Sequence, residues 1–506
     1  MAVVRNISYF LVSSVLSKPL GFLLSFTVAR SLGPADFGVW VTLMLIISYG
    51  PIACLGTVET LLKQVPYFLG RGETRHIHEV ENSVLGSVIL AGAFVVVLAC
   101  LAPLVLPFIA PGIRAPLVAM MLVTAATNYF SAYFYNRLVA YENFKLVGLV
   151  DLLRSVLALL FIGGLAWTWG LPGAVAGYLL HEFSVCLTTI AINLRMHGAV
   201  GVGFKRELLA RAVRIGFPIT LLWWVLTLTG TVDRVVIGSL LGPLSVGHYG
   251  LGTSLVTILY LVPIVVGRVL YPKVNKQMGQ NAGPEAMQRI VLAPTLALGT
   301  LLANLQLGLL LIMPLLYNQF LPKYQPGLIA GQILIFGSYF GCLTRNGANY
   351  LIAANHEHVF LKYIFVTLAT NVALDVALVK AGFGIAGVAV GTSIAGTLLT
   401  TLVWRRVLTH LKFPPRRVWT TILHLYLPNL ALVGTMAVMW LIYRQAFQVF
   451  NWPTLALGLV GLIVINGGLY CLPVYRDEMH GWRKRLSKAN VPFDERAALA
   501  DTIGRV

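Results

Sequence analysis

The same glycine- and proline-containing motif occurs twice in the chain, as LGPADFGVW at residues 32–40 and as LGPLSVGHY at residues 241–249. Both copies fit L-G-P-x-x-x-G-x-[WY], at an offset of 209 residues. A second pair of stretches, GLPGAVAG at 170–177 and GIAGVAVG at 384–391, repeats at an offset of 214 residues. One such match would mark only a turn. Two matches at nearly equal offsets indicate an internal duplication, so the chain is predicted to contain two copies of one structural unit.

The amino-acid composition predicts that both units lie in a membrane. The 506 residues are 58% hydrophobic and 11% charged, and the mean hydropathy is +0.82. A soluble protein carries about 25% charged residues, so this chain has too few to cover a water-facing surface. A soluble enzyme, a disordered protein and a secreted disulfide scaffold are therefore excluded. The five cysteines lie far apart in apolar runs without the spacing of a zinc site, which predicts buried small side chains.

Apolar windows between polar interruptions predict an all-α polytopic membrane protein with about fourteen transmembrane helices. Six predicted spans lie in each repeat unit, and an even number makes both units enter the membrane in the same direction, as in transporters built from parallel repeats. The predicted spans cover residues of about 7–30, 37–62, 82–107, 116–137, 147–169, 172–194, 215–240, 245–267, 290–315, 327–353, 360–379, 384–404, 420–443 and 453–475. The predicted domains are an N-terminal six-helix lobe at 1–200, a C-terminal six-helix lobe at 211–410, a transmembrane hairpin at 420–475 and a tail at 476–506.

The positions of the basic residues predict the orientation of the chain. With the N-terminus in the cytoplasm, the inner segments hold 28 Lys and Arg residues and the outer segments hold five. Cytoplasmic loops carry such an excess. Both termini are therefore predicted to be cytoplasmic, and most of the net charge of +19 reflects topology rather than nucleic-acid binding.

Known catalytic signatures are absent from the sequence. It contains no Walker A loop, no G-x-S-x-G and no H-E-x-x-H. We therefore expect a transporter rather than an enzyme, with no metal and no cofactor. The energy for transport is expected from an ion gradient, the membrane potential or consumption of the product.

Charged residues inside the predicted spans are the candidate functional residues, because each costs about 2.5–3.5 kcal/mol to insert into a membrane. The basic ones are Lys18, Arg154, Arg234 and Arg345, and the acidic ones are Glu59, Asp151, Glu182, Asp233 and Asp375.

Three of the basic residues are candidates to bind an anionic substrate in a central cavity. Lys18 precedes Pro19, which bends a helix, so Lys18 either faces the cavity or pairs with a carboxylate such as that of Glu59. Asp233 and Arg234 are adjacent and point about 100° apart on a helix, and we assign Arg234 to the cavity. Arg345 is the third cavity cation.

The acidic residues have two alternative roles. They act in proton or sodium coupling, or they are structural counter-charges. The candidates for coupling are Glu59, Glu182, Asp233 and Asp375. Asp151 is instead expected to pair with Arg154, three residues further on the same helix face.

The sequence ARSLGPADFGVW at residues 29–40 resembles the polysaccharide transporter branch of the MOP superfamily, which includes O-antigen and exopolysaccharide flippases. In the second half of the chain, Gly216–Pro218, the pair Asp233 and Arg234, and the second motif copy resemble this branch as well. The resemblance covers most of the chain between residue 7 and about residue 475.

The resemblance implies a lipid-linked oligosaccharide flippase of the bacterial cytoplasmic membrane. Two six-helix lobes would enclose a cavity that opens alternately to each side, and cavity cations would bind the diphosphate of a polyprenyl-diphosphate-linked glycan. By position, the hairpin at 420–475 would hold the lipid tail. The implied partners are membrane lipids and the polysaccharide polymerase and chain-length machinery, with no nucleic acid.

Two other functions remain as alternatives. A cation/drug antiporter of the multidrug and toxin extrusion type would have acidic cavity residues and usually twelve spans. A scaffold within a polysaccharide assembly complex would leave the charges inside the spans without a purpose.

Overall fold

The computed structural model describes residues 2–105, 111–279, 283–442 and 452–470, which form helices joined by short turns and contain no β-strand. The helices of the first half of the chain are α1 (Ala2–Ser48), α2 (Thr57–Arg71), α3 (Thr74–Val105), α4 (Pro111–Val123), α5 (Tyr129–Ala140), α6 (Phe144–Leu157) and α7 (Gly164–His197). Those of the second half are α8 (Arg206–Thr229), α9 (Val232–Leu240), α10 (Pro243–Leu259), α11 (Leu261–Gly279), α12 (Pro284–Leu315), α13 (Leu328–Ala353), α14 (Glu357–Lys380), α15 (Gly384–His410), α16 (Pro415–Ile442) and α17 (Trp452–Tyr470). Shorter helical segments are π-helical at Thr124–Asn128, Ala158–Gly163 and Leu316–Phe320, and 3₁₀-helical at Gly50–Cys54 and Pro322–Gly327.

Ten helical stretches within the described residues are long and apolar enough to cross a membrane. The stretch Phe144–His197 has 54 residues, which is about 80 Å of helix against a hydrocarbon core of about 30 Å. It breaks at Gly170 (φ 63°), as the stretch Pro19–Cys54 breaks at Gly33 (φ 73°). Glycine adopts such left-handed angles without steric cost. The predicted all-α polytopic membrane fold is confirmed, whereas the number of fourteen spans stays a prediction.

We call α1–α7 the first bundle and α8–α15 the second bundle. In the first bundle, α1 packs against α6 and α7, and α2 packs against α3 and α5. In the second bundle, α13 is central and packs against α10, α11, α12, α14 and α15. Glycine permits a close approach there, because a Cβ atom on Gly337 of α13 would overlap Ser393 of α15. The predicted lobe boundaries stay a prediction.

A buried ion pair holds the start of the segment that joins the two bundles. Arg137 of α5 donates from Nε to Oε1 of Glu81 over 2.7 Å and from Nη2 to Oε2 over 3.2 Å. Its guanidinium also donates to the carbonyls of His197 and Gly198, each over 3.2 Å. Arg137 is 1% exposed and Glu81 is 0% exposed.

The joining segment itself lies on α3. The N–H of Gly203 donates to the carbonyl of Asn82 over 2.9 Å. A Cβ atom on Gly86 would overlap the carbonyl of Gly203. The Arg137–Glu81 pair therefore fixes the start of the joining segment. Its later part is held by Asn82, the residue that follows Glu81 on α3.

Helices α16 and α17 pack on the second bundle through α12 and α15. The hydroxyl of Tyr339 on α13 donates to the carbonyl of Leu425 over 2.6 Å. Asn304 of α12 and Asn466 of α17 exchange amide hydrogen bonds of 3.0 and 2.9 Å. These polar contacts hold the helix pair against the bundle, because amide groups that face an apolar environment require partners.

We predict that Arg137→Met destabilises the protein by about 3–5 kcal/mol, because removing one partner of a buried ion pair leaves the other charge uncompensated. The measurement is denaturant unfolding of the purified protein in detergent. Arg75→Met is the matched control: Arg75 pairs with Glu79 at 3.8 Å but is 89% exposed, and we expect nearly wild-type stability. Equal stability of the two variants would contradict the assigned role of the buried pair.

Candidate functional site

The two copies of the motif pack directly against each other. A Cβ atom on Gly38 would overlap the carbonyl of Pro243, and a Cβ atom on Gly247 would overlap the carbonyl of Pro34. The contact is reciprocal, as at an interface with two-fold symmetry. We call these four residues the motif crossing. Only glycine lets the backbones of α1 and α10 come this close.

A tyrosine from the second bundle adds a contact beside the motif crossing. Tyr324, in the 3₁₀ segment before α13, donates its hydroxyl to the carbonyl of Ala29 on α1 over 2.7 Å. The rings of Phe37 and His248 lie edge-on to Tyr324 at centroid distances of 6.0 Å each. Tyr324 is 1% exposed. Both motif copies thus contribute an aromatic ring around a residue that lies far away in the sequence.

A second glycine contact joins the bundles through α8, and the sequence did not predict it. Gly56, just before α2, and Gly216 of α8 meet so closely that a Cβ atom on either would overlap the backbone of the other. The Thr60 hydroxyl donates to the carbonyl of Ala212 over 2.9 Å. The bundles are therefore in contact at two separate places, the motif crossing and the Gly56–Gly216 contact.

A hydrogen bond between side chains also links the bundles. The hydroxyls of Tyr49 and Thr231 are 2.5 Å apart. The Thr231 hydroxyl donates to the carbonyl of Thr227 over 2.7 Å, so Tyr49 is the donor to Thr231. Thr231 lies at the break between α8 and α9, and the ring of Trp224 packs edge-on against Tyr49 at 6.2 Å.

Two of the predicted coupling residues lie in one buried cluster of the second bundle. Asp233 lies in the first turn of α9 and is 5% exposed, and Asp375 on α14 is 0% exposed. Tyr249 of α10 is also 0% exposed and packs with Ile237 of α9 and Val388 of α15, close to both carboxylates and to Thr392. A Cβ atom on Gly391 would overlap Oδ1 of Asp375. We call Asp233, Asp375, Tyr249 and Thr392 the acid cluster.

The polar atoms of the acid cluster are poorly satisfied. Both carboxylate oxygens of Asp375, the Tyr249 hydroxyl and the Thr392 hydroxyl are buried and have no hydrogen-bond partner. A buried polar group without a partner costs about 1–3 kcal/mol. Within the described residues, no group of three or more His, Cys, Asp or Glu side chains is placed to hold a metal ion. Two carboxylates with hydroxyls instead suit a proton or a monovalent cation.

Arg234 and Asp233 contact each other although they are adjacent on α9, because Nε of Arg234 lies 3.9 Å from Oδ1 of Asp233. The Arg234 backbone N–H donates to Asp233 Oδ1 over 2.8 Å, while its Nη2 donates to the carbonyl of Gly230 over 2.9 Å. The Arg234 guanidinium therefore lies over the last turn of α8, and its side chain is 24% exposed. Arg234 is three residues from Thr231, whose hydroxyl contacts Tyr49 of the first bundle.

Of the other two candidates for the cavity, only Arg345 has a side chain that the structure describes. Arg345 is exposed, although α13 packs against five helices. Its Nε would lie 4.0 Å from a Cβ atom on Gly267 of α11. The backbone of Lys18 lies within α1, but its side chain falls outside the described part of the structure.

The first bundle contains a different cluster around Glu182. Asn128 donates to Glu182 Oε2 over 3.1 Å, and Nδ1 of His181 is 3.5 Å from Glu182 Oε1. One turn earlier on α7, the Tyr178 hydroxyl shares a 3.0 Å hydrogen bond with Thr124. Asn128 and Thr124 bound a π-helical segment, a feature that is frequent at functional sites. Unlike Asp375, the Glu182 carboxylate has side-chain partners.

The remaining in-span charges are in local contacts. Glu59 lies in the first turn of α2, where a carboxylate is stabilised by the helix dipole. Asp151 Oδ2 accepts a hydrogen bond from Tyr135 over 3.1 Å, and the Arg154 guanidinium stacks over the same ring at 5.8 Å. Asp151 and Arg154 therefore share Tyr135 as a neighbour.

The sequence shows which family this fold represents. Residues 3–278, more than half of the chain, match the family described as Polysaccharide biosynthesis protein. The chain belongs to the polysaccharide biosynthesis protein family. The predicted resemblance to the polysaccharide transporter branch of the MOP superfamily is thereby confirmed.

Solved structures of MOP transporters share the fold of this polysaccharide biosynthesis protein. The lipid II flippase MurJ in an inward closed conformation is 13% identical, with a TM-score of 0.69, and the match covers 91% of this chain and 98% of that one. An inward-facing multidrug resistance MATE family transporter is 16% identical, with a TM-score of 0.57, over 80% of this chain and 95% of that one. At these identities the likeness shows the fold alone.

A relative by sequence is an uncharacterized membrane protein of Methanocaldococcus jannaschii. It is 21% identical over 416 residues, which are 77% of this chain and 80% of the relative. The polysaccharide biosynthesis protein is thus a multi-pass membrane protein, with ten helical stretches that can cross a membrane within the described residues.

We predict that Gly38→Ala and Gly247→Ala each force the bundles apart at the motif crossing, because the new Cβ atom overlaps a backbone carbonyl. The measurement is the distance between spin labels at Ala35→Cys and Leu244→Cys, both exposed positions, with the native cysteines replaced. We expect a longer distance in both glycine variants. Gly434→Ala is the control, since its Cβ atom would meet nothing within 4 Å. An unchanged distance in both glycine variants would show that the crossing is not a close contact.

Proposed function

We propose that the protein is a lipid-linked oligosaccharide flippase that moves a polyprenyl-diphosphate-linked glycan across the bacterial cytoplasmic membrane, for O-antigen or exopolysaccharide biosynthesis. The observation that carries the proposal is the exposed arginine Arg345 on α13. The apolar part of the helical stretch that contains α13 is 72% buried. A charge at such a position faces a bundle interior or a wet cavity rather than lipid. The family description and the fold shared with a lipid II flippase support the same substrate class.

The substrate would bind between the two bundles. Arg345 lies beside α11, which also contacts α1, and Arg234 is three residues from Thr231, which contacts Tyr49. In this proposal the guanidinium groups of both arginines face the first bundle and bind the diphosphate. Lys18 is proposed as the third cation. The lipid tail would remain in the bilayer along α16 and α17.

Transport would proceed by alternating access. The bundles touch at the motif crossing and at the Gly56–Gly216 contact, and opening one contact while the other stays closed exposes the space between them to one side at a time. The acid cluster is the proposed site of the coupling cation, because both oxygens of the Asp375 carboxylate lack hydrogen-bond partners. Glu182 and Glu59, which have local partners or a helix terminus, are proposed as structural counter-charges or secondary coupling groups. A polymerase and chain-length machinery would receive the flipped glycan.

We predict that Arg345→Ala and Arg234→Ala each lower polysaccharide export about tenfold or more, and that Lys18→Ala does so as well. A hydrogen bond to a charged group contributes about 1.5–3 kcal/mol, and about 1.4 kcal/mol is a factor of ten. Export is measured by complementation at matched protein levels in the membrane. Arg416→Ala, an exposed basic residue at the start of α16, is the control and should export normally. Wild-type export from both Arg345→Ala and Arg234→Ala would overturn the diphosphate assignment.

We also predict that both termini are cytoplasmic, because basic residues favour the inner segments by 28 to five. A reporter protein that folds only in the cytoplasm should be active when it is fused after Val506. A reporter that folds only outside the cell should be inactive at the same position. Activity of an exported reporter at the same position would contradict this orientation.

The antiporter alternative is favoured by one observation, the buried carboxylates in both bundles. A cation/drug antiporter would extrude a cationic dye against its gradient, and this extrusion would stop in Glu182→Gln or Asp375→Asn. Dye extrusion by the wild-type protein without any effect on glycan export would select the antiporter over the flippase.

A further inference from the structure

One face of α8 is directed at the first bundle over most of the length of the helix. Ala212, Gly216, Thr220 and Trp224 follow one another at intervals of four residues, which places them on the same helix face. Ala212 and Gly216 form the contacts with the start of α2, and the ring of Trp224 lies edge-on to Tyr49 at 6.2 Å. We call Thr220 and Trp224, which follow the glycine contact on this face, the donor pair.

The polar atoms of the donor pair have no partner. Oγ1 of Thr220 and Nε1 of Trp224 are both buried without a hydrogen bond to any described residue, and Thr220 is only 7% exposed. Folded proteins satisfy nearly all buried donors, because leaving one unpaired is destabilising. Two unpaired donors on one face, between two bundles of a transporter, therefore suit a ligand that is itself rich in hydroxyl groups.

The helices of both bundles are interrupted beside the donor pair. Directly after Tyr49, α1 gives way to the 3₁₀ segment Gly50–Cys54, and α8 gives way to α9 at Thr231. The hydroxyls of Tyr49 and Thr231, which are 2.5 Å apart, join the two interruptions. Both interruptions fall well inside their predicted spans. Discontinuous helices that meet between repeats inside the membrane are typical of substrate sites in transporters.

The donor pair also lies next to the proposed diphosphate site. Nη2 of Arg234 donates to the carbonyl of Gly230, just after the end of α8. Trp224 precedes Gly230 by six residues, which is about 9 Å along the helix axis, and Thr220 lies about 6 Å further on. A glycan attached to a diphosphate at Arg234 would thus reach this face. An indole offers a sugar both an apolar ring face and an N–H donor.

We propose that Thr220 and Trp224 form a glycan-binding subsite between the bundles, and that the Tyr49–Thr231 hydrogen bond closes over this subsite when no glycan is bound. When that bond breaks, the Tyr49 ring moves off the indole and a sugar ring takes its place. The indole N–H and the Thr220 hydroxyl then bond to sugar hydroxyls. This inference rests on the proposed function, because it assigns a site to the glycan of the substrate whose diphosphate the arginines bind.

The experiment compares two ligands that differ only in the glycan. One is the lipid-linked oligosaccharide extracted from membranes of the source organism, and the other is polyprenyl diphosphate of the same chain length. Binding of each to the full-length protein is titrated by native mass spectrometry in an amine-oxide detergent, which contains no sugar that would compete. The variants are Trp224→Phe, Thr220→Val and Tyr49→Phe. Trp169→Phe is the matched control, since Trp169 is 66% exposed.

We expect the wild-type protein to bind the glycan-linked ligand about tenfold or more tightly than the sugar-free one. Trp224→Phe keeps an aromatic ring beside Tyr49, and Thr220→Val keeps the shape of the side chain. Each should weaken binding of the glycan-linked ligand about two- to tenfold, the effect of one hydrogen bond, and leave the sugar-free ligand unaffected. Trp169→Phe should bind both ligands as the wild-type protein does. Tyr49→Phe should bind the glycan-linked ligand more tightly, because no bond to Thr231 must break.

The other outcomes separate the subsite from the proposed function. An unchanged preference in both Trp224→Phe and Thr220→Val overturns the subsite and leaves the diphosphate site intact. An equal loss for both ligands in these variants shows a packing role and overturns the subsite as well, as does equal affinity of the wild-type protein for both ligands. Weaker binding by Tyr49→Phe overturns the closing role of Tyr49. Failure of the wild-type protein to bind either ligand overturns the proposed function, and the subsite with it.

Discussion

The arrangement of the whole molecule depends on the reciprocal contact between two glycines and two proline carbonyls. Gly38 lies against Pro243 and Gly247 lies against Pro34, so close that neither glycine position can hold a Cβ atom. In a membrane, apolar burial does not drive helices together, and close packing of small residues takes its place. The same four residues set the angle at which α1 and α10 cross, and so determine which side chains of the two bundles face each other.

The two bundles differ in the chemistry around their buried carboxylates. Around Glu182, the carboxylate has an amide and an imidazole as neighbours. In the acid cluster, Asp375 is fully buried and its carboxylate oxygens have no hydrogen-bond partner. In the proposed function, this difference is the reason why the coupling cation is expected in the second bundle. The two arginines proposed to bind the diphosphate, Arg234 and Arg345, also belong to the second bundle.

The features that could be predicted from the sequence are those that depend on local patterns. Hydropathy predicted the helical membrane fold, whereas the internal repeat indicated by the motif spacing stays a prediction. Gly33 and Gly170 lie in the predicted turns, where their positive φ angles break long helices.

The contacts that join distant segments could not be predicted. Glu81 and Arg137 are 56 residues apart and lie at the ends of two predicted spans, so nothing in the sequence indicated that they form a buried pair. The Gly56–Gly216 contact lacks a repeated motif, and Tyr324 lies 295 residues from the carbonyl that its hydroxyl contacts. The repeat itself indicated related units but not that the two motif copies touch. The position of Tyr249 in the acid cluster likewise depends on how α9, α10, α14 and α15 pack together, which the sequence does not indicate.

The central claim is that the two bundles move a diphosphate-linked glycan across the bilayer. It is tested most directly with purified protein in liposomes that carry a polyprenyl-diphosphate oligosaccharide, using a glycosidase that cannot cross the membrane to measure the fraction exposed outside. The account predicts that wild-type protein lets the enzyme reach substrate from the inner leaflet and that Arg345→Ala protein does not. Equal protection of the inner-leaflet substrate in liposomes with and without wild-type protein would contradict it.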